Sequence, residues 1–244
     1  MNQEELAHPP IVSQEDWLKQ RIEFLQREKE ATKYIDRLNA DRRRLPMVKV
    51  DKSYTFEGPD GPVSFLDLFE GRTQLIIYHF MFDPEWEKGC PGCTGWVDAL
   101  GDLSLLADRG VSFTLVSRAP LEKLNAYKAE RGWNWQWVSS FGSDFNYDFH
   151  VTLDESKVPV LNNYLTRAEL EARHGKDEDY MKGEKPATSV FFRIGDDIYH
   201  TYSTFHRGSE SLVHSYAMLD ITPFGRQEDW EDSPVGWPQK PTYG

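Results

Sequence analysis

The stretch that most limits what this chain can fold into is an apolar run, Leu75-Ile76-Ile77-Tyr78-His79-Phe80-Met81-Phe82, followed shortly by Cys90-Pro91-Gly92-Cys93. The run is rich in β-branched and aromatic residues and reads as a buried strand. From Thr94 to Arg109 the apolar side chains fall at Trp96, Val97, Leu100, Leu103, Leu106 and Ala107, which is helical spacing. The two cysteines are the only ones among 244 residues and stand three apart, so they act as a unit. A strand, a loop and two cysteines opening a helix predict a thiol–disulfide redox site.

The chemistry gives that layout its meaning. The thiolate is the attacking species, and a free cysteine, with a pKa near ~8.5, is mostly protonated at neutral pH. Unpaired N–H groups and the dipole at a helix N-terminus favour negative charge there. Cys90 is placed at that end, with Pro91 at the first helical position, where a missing N–H costs nothing. Cys93, one turn on, is the more sheltered resolving thiol. Lys88 would favour a Cys90 thiolate, Glu85 and Glu87 would oppose it, and Trp86 flanks the same loop.

Three plainer readings compete. A structural disulfide is disfavoured in a reducing compartment. Half of a zinc site needs two more ligands, which only histidines or carboxylates can supply. Haem attachment needs C-x-x-C-H, and Thr94 follows Cys93. No resident metal or cofactor is expected.

Composition narrows the partners. A formal net charge of −12 argues against nucleic acid and against an anionic membrane surface. No stretch approaches the ~18 apolar residues of a spanning helix, and the start, Met1-Asn2-Gln3-Glu4-Glu5-Leu6, lacks the regions of a signal peptide. A cytoplasmic location is expected, and a homodimer is one possible state.

Along the chain, Ser13-Gln14-Glu15-Asp16 reads as a capping box opening a long, strongly charged helix that ends at Leu45-Pro46. A hairpin around Gly58-Pro59-Asp60-Gly61 follows, then the strand at 75–82 and the cysteine helix. Val111–Ser117 is a second buried strand, so a helical crossover joins two parallel strands. Residues 133–150 are dense in aromatics. They read either as core-completing packing or as a pocket wall near the thiols, in which Trp135, Trp137, Ser143, Asp144, Asn146 and Tyr147 hold a substrate. Thr188–Ile194 and Ile198–Ser203 form an antiparallel hairpin about Gly195-Asp196-Asp197, and a last helix runs from Ser209 to about Leu219. The expected organisation is a helical arm over 1–46, one domain over 47–221 with an excursion at about 141–186, and an irregular tail over 222–244.

The order βαβ, excursion, β-hairpin, α, with C-x-x-C opening the first core helix, resembles the thioredoxin fold. The hairpin prelude and the run from Gly61 to Phe82 are similar to its peroxiredoxin branch. More closely, Gly89-Cys90-Pro91-Gly92-Cys93, Gly142-Ser143-Asp144-Phe145-Asn146-Tyr147-Asp148-Phe149 and Val116-Ser117-Arg118-Ala119-Pro120 resemble an uncharacterised thioredoxin-like family, a domain of unknown function. The resemblance covers roughly residues 15 to 225. It implies an α/β fold with a mixed sheet, flanking helices and an N-terminal helix, and a dithiol–disulfide oxidoreductase.

Carried over by position, Cys90 matches the exposed attacking thiol of thioredoxins and Cys93 the resolving one. Pro186 matches the cis-proline that faces the thiols, and His79 lies near the place of a buried acid, as a proton acceptor for Cys93. The dipeptide here is Pro-Gly rather than Gly-Pro. The implied partners are a disulfide or peroxide substrate and a cellular thiol reductant. Two further readings stand beside this one. Pro91-Gly92-Cys93-Thr94 is similar to a peroxidatic segment, which would make Cys93 a peroxide-reactive thiol resolved by Cys90. A non-catalytic module could instead hold metal through the cysteines and histidines such as His79, His150, His200, His206 or His214.

Overall fold

In a computed structural model that describes residues 7–241, the apolar run becomes the central strand of an eight-stranded sheet. The first six residues of the expected lead-in and the last three of the tail lie outside the described residues. The chain divides into two compact units, one holding Met47–Ala217 and the other made of the arm up to Pro46 with the segment from Met218 onward.

The arm is a single helix, α1 (Gln14–Arg42), capped by Ser13, whose hydroxyl oxygen accepts the Asp16 N–H at 3.1 Å. Capping oxygens satisfy one of the orphan N–H groups of the first turn.

In the larger unit, β1 (Val48–Lys49) is followed by the hairpin β2 (Thr55–Gly58) and β3 (Gly61–Ser64), then β4 (Gln74–His79). Helix α2 (Pro91–Asp98) opens directly after Cys90, and a short α3 (Ser104–Asp108) leads into β5 (Val111–Ser117). Helix α4 (Leu121–Arg131) and β6 (Trp137–Ser139) complete a second crossover, with α5 (Phe145–Asp148) behind it. The excursion holds two small strand pairs, β7 (Thr152–Leu153) with β10 (Gly183–Glu184) and β8 (Leu161–Asn162) with β9 (Leu165–Thr166), around α6 (Arg167–His174). The hairpin β11 (Ala187–Ile194) and β12 (Asp197–Phe205) follows, and α7 (His214–Leu219) starts in this unit and ends past its limit at Ala217.

The sheet order is β1-β12-β11-β4-β5-β6-β2-β3. Strands β4, β5 and β6 run parallel, and the β11–β12 hairpin joins β4 antiparallel from the other side. A parallel βαβ unit with a hairpin beside its first strand is the thioredoxin-like arrangement.

Alternation along β4 sorts its side chains to the two faces of the sheet. Leu75 and Ile77 enter one core cluster with Phe69, Phe145, Val138 and Phe191. Tyr78, with Phe80 and Phe82 just beyond the strand, enters the other with Cys93, Trp96, Leu115 and Trp137. The thiols therefore belong to one face only.

Three expectations change. The helix anticipated over 94–109 is broken after Asp98. Asp102 accepts the backbone N–H and the hydroxyl of Ser104 at 2.8 and 2.9 Å, and this local bonding competes with helix continuation. The last helix is a 3₁₀ stretch (His206–Leu212) followed by α7 rather than one element. The Lys185–Pro186 bond is not cis, since no cis peptide occurs among the described residues. The flanking backbone is instead tied in extended form, Lys185 N–H to Val151 O at 2.8 Å and His206 N–H to Pro186 O at 3.0 Å, and trans is the lower-energy isomer by ~0.5–1 kcal/mol.

Candidate active site

Two backbone constraints set Cys90 where it is. Its N–H donates to the Met81 carbonyl at 3.0 Å, tying the loop back to the end of β4. Gly89 is required beside it, because a Cβ there would lie 2.5 Å from the Phe80 ring. Cys90 is then the N-cap of α2 with Pro91 at N1, where proline's fixed φ suits the first turn. Its carbonyl accepts both the Thr94 N–H, at 2.9 Å, and the Thr94 hydroxyl, at 2.8 Å. Since the Thr94 proton is committed there, the Tyr127 hydroxyl, 2.9 Å away, donates to Thr94 Oγ1. A buried tyrosine on α4 thus steadies the turn that carries the nucleophile.

The two sulfurs differ sharply. Cys90 is partly exposed, whereas Cys93 is 2% exposed. The Cys93 thiol donates to Cys90 Sγ, and the Cys93 and Gly92 N–H groups add to it. Together they outweigh burial and bring the Cys90 thiol down to about 6. Burial, first, and the Cys90 sulfur, second, push Cys93 up. Opposing that rise are the Tyr78 hydroxyl and the Met81 N–H, which lies 3.4 Å from Cys93 Sγ. Tyr78 is itself fixed by stacking on Trp96, with ring centroids 3.8 Å apart and planes at 6°. The arrangement can hold one thiolate ready at the surface and a second thiol in reserve beneath it.

His79 does not serve Cys93. Strand alternation points it to the opposite face, against Phe145 and Phe149 at 5.7 and 6.5 Å, where its Nε2 bonds Ser189 Oγ at 2.8 Å. Burial and the neighbouring His200 lower it to about 3, so it is neutral. Lys88 lies 3.5 Å from Glu130 with its side chain 72% exposed. Trp86 packs against the thiol-side core, and its carbonyl and that of Pro84 accept Lys123 Nζ at 2.9 and 2.8 Å, fastening the loop.

The aromatic block is mostly structural. Trp137 lies 2% exposed in the thiol-side core and donates its N–H to Ser117 Oγ at 3.0 Å, and Trp135 packs at the edge of that core. Asn146 is buried and accepts the Ser140 hydroxyl at 2.7 Å. Ser143 accepts the Phe145 N–H at 3.2 Å, and Asp144 pairs with Lys52 at 2.7 Å. Tyr147 and Trp135 line separate surface clefts: the Tyr147 hydroxyl accepts from Arg118 at 3.3 Å, and Trp135 lies with Val97 and Leu100. The six do not form one wall: Trp137 and Asn146 are core, Ser143 and Asp144 are held in a turn bond and an ion pair, and Trp135 and Tyr147 line two different clefts. Polar residues in this block, once buried, had to be hydrogen-bonded to their neighbours.

Sequence reasoning missed Tyr78, Tyr127 and Arg118. The parity of the 75–82 run could have found Tyr78, since it shares the face of Phe80 and Phe82. Arg118 bridges Asp83, at the end of the β4 segment, and buried Glu184 at 2.8 Å; nothing in the local sequence announces that link. Among the described residues, no group of three or more His, Cys, Asp or Glu side chains is arranged to hold a metal ion. No helix among them is long and apolar enough to cross a membrane.

A family model described as "Bacterial protein of unknown function (DUF899)" matches residues 6–243. No curated protein matches the chain. Among solved structures it is similar to peroxidoxin BcpB from Mycobacterium tuberculosis, at 16% identity over 66% of this chain and 85% of that one, TM-score 0.45. It is also similar to a cysteine-to-serine mutant of PrxQ from Xylella fastidiosa, at 12% identity over 68% and 88%, TM-score 0.42. A cysteine-to-serine mutant of peroxiredoxin 6 from Arenicola marina matches at 10% identity over 73% and 76%, TM-score 0.44.

Proposed function

The chain belongs to the bacterial family DUF899, and from that premise we propose that it is a dithiol–disulfide oxidoreductase with Cys90 as nucleophile and Cys93 as resolving thiol. One observation carries the reading: Cys90, the partly exposed thiol at the head of α2, is brought down to about 6 by three donors from its own motif, while Cys93 is buried and pushed up. The Cys90 thiolate attacks a partner disulfide R–S–S–R′, forming Cys90–S–S–R and releasing R′–S⁻. Cys93 then loses its proton to the released thiolate or to solvent and attacks Cys90 Sγ. The Cys90–Cys93 bond forms, R–S⁻ leaves, and two electrons have passed to the substrate. A cellular thiol reductant, two thiols becoming one disulfide, restores the pair. The Tyr78 hydroxyl and the Met81 N–H steady the transient Cys93 thiolate without any charged base.

The reverse assignment, a peroxidase attacking through Cys93, fits less well, because Cys93 is 2% exposed and its thiol is pushed up. Trapping decides between them. Cys93→Ser should accumulate mixed disulfides with glutathione disulfide through Cys90, and Cys90→Ser should not. Trapping that needs Cys93, with rapid consumption of hydrogen peroxide, would overturn the assignment. A midpoint potential for the wild-type pair between about −300 and −100 mV is expected of a working redox dithiol.

A further inference from the structure

On the face of the sheet away from the thiols, a row of hydrogen bonds crosses three strands. His79 Nε2 lies 2.8 Å from Ser189 Oγ, Ser189 Oγ 2.7 Å from Ser203 Oγ, and Ser203 Oγ 2.7 Å from His200 Nε2. These groups take no part in the redox steps above, and a buried polar chain is costly unless fully paired. It is not fully paired. His200 Nε2 also lies 3.0 Å from the Tyr202 carbonyl, which can only accept, so a proton on that nitrogen satisfies both neighbours. The serines then donate in turn toward His79, which leaves the His79 proton on Nδ1, buried without a partner. With the opposite polarity His79 Nδ1 is a bare acceptor, still without a partner, and the Tyr202 bond is lost as well. Two directions of the chain are therefore close in energy, apart by about the worth of one hydrogen bond.

The chain ends at a cleft of about 460 Å³, lined by His200 and Ser203 together with His150, Phe149, Tyr164 and Phe205. That volume suits a small ligand. Phe149 stands edge-on to His200 at 5.5 Å and Tyr164 edge-on to Phe205 at 5.3 Å, so aromatic faces and edges are available for a ring. His150 has a buried Nδ1 with no hydrogen-bond partner and a φ of 56°, in the left-handed region that few non-glycine residues occupy. The cleft offers no unpaired cation. Lys52 is held by Asp144 and Asp148 at 2.7 Å each, and Lys49 by Asp197 at 2.8 Å. Burial lowers both His150 and His200, which leaves them uncharged at neutral pH, and Asp51 at the lining adds negative charge.

We propose that this cleft is a second binding site, for an uncharged aromatic molecule bearing a hydroxyl group, whose ring lies against Phe149 and Tyr164 and whose hydroxyl pairs with both His150 and His200. A hydroxyl on His200 selects one polarity of the buried chain, so its arrival is felt at His79, two serines away.

The test titrates the whole chain, labelled with ¹⁵N, with p-cresol and with three relatives: toluene, p-toluate and 4-methylbenzylamine. Saturable p-cresol binding is expected, at least tenfold tighter than any of the three. The ring nitrogen shifts of His79 should move with occupancy. Tyr164→Ala, at a side chain 57% exposed whose removal spares the core, should weaken p-cresol at least fivefold, as should His150→Phe. Absence of saturable binding would overturn the assignment. So would toluene or either ion binding as well as p-cresol, unchanged affinity in Tyr164→Ala, or a His79 that does not respond.

Discussion

The low pKa of Cys90 rests first on the Cys93 S–H, so exchanging that one donor tests the whole account of the site. Cys93→Ala removes it and Cys93→Ser keeps a donor in the same place. With the Cys90 thiol at about 6, roughly nine-tenths is thiolate at pH 7. A hydrogen bond to a charged group contributes about 1.5–3 kcal/mol, which is ~1–2 pK units. The alanine variant should therefore titrate higher by that amount, while the serine variant stays near the wild type. At pH 6 the thiolate fraction in the alanine variant drops from about one-half to ~1–10%. A more basic thiolate is also the better nucleophile, with a Brønsted slope of ~0.4–0.5, so the alkylation rate itself falls only ~2–8-fold. The midpoint is thus the sharper readout. Iodoacetamide trapping across pH 4.5–9.5, with the adduct on Cys90 located by mass spectrometry, supplies it. A wild-type midpoint above 8, or equal midpoints in the alanine and serine variants, would refute the reasoning.

Other outcomes follow from the same contacts. Tyr78→Phe keeps the stack on Trp96 but removes the hydroxyl on Cys93; stopped-flow resolution of a preformed Cys90–glutathione adduct should slow about tenfold, with the first attack unchanged. Gly89→Ala drives a methyl into the Phe80 ring, and urea unfolding should show a loss of ~1–3 kcal/mol. Burial lowers His79 from its ordinary 6.5 to about 3. The unfolded chain takes up that proton below pH 6.5 while the folded chain does not, so stability present above 6.5 drains away toward pH 3, on the order of 4–5 kcal/mol in all. Urea titrations at pH 7, 5 and 4 should show this slope reduced in His79→Phe; an unchanged slope would place the burial effect elsewhere. Tyr127→Phe leaves Thr94 Oγ1 without its donor, and the Tm should fall by about 2–4 °C, as for ~1 kcal/mol in a domain of this size.

The local sequence determined a good deal. Cys90 and Cys93 at helical spacing, Pro91 at N1 and an apolar run before them specify a strand, a turn and a capped helix, because each feature acts within one or two turns of chain. The same holds for Ser13 and Asp16 at the head of α1, and for the 188–203 hairpin, found as β11 and β12. The break after Asp98 was also local, in the bonding of Asp102 to Ser104, but a run of apolar residues at helical spacing concealed it.

What only the tertiary structure decided was the company each side chain keeps. His79 and Tyr78 are neighbours in sequence, yet the pleat sends one to Phe145 and the other to Cys93. Which face received the thiols depended on where α2 packed, and periodicity of 2 fixes the alternation without fixing its sense. Likewise Trp137 and Asn146 could not be told from binding residues until contacts across the sheet showed them buried and satisfied. Spacing in a sequence carries local geometry, and the donors to Cys90 come from its own motif, whereas burial is a sum over residues far apart in the chain, and that sum pushes up Cys93.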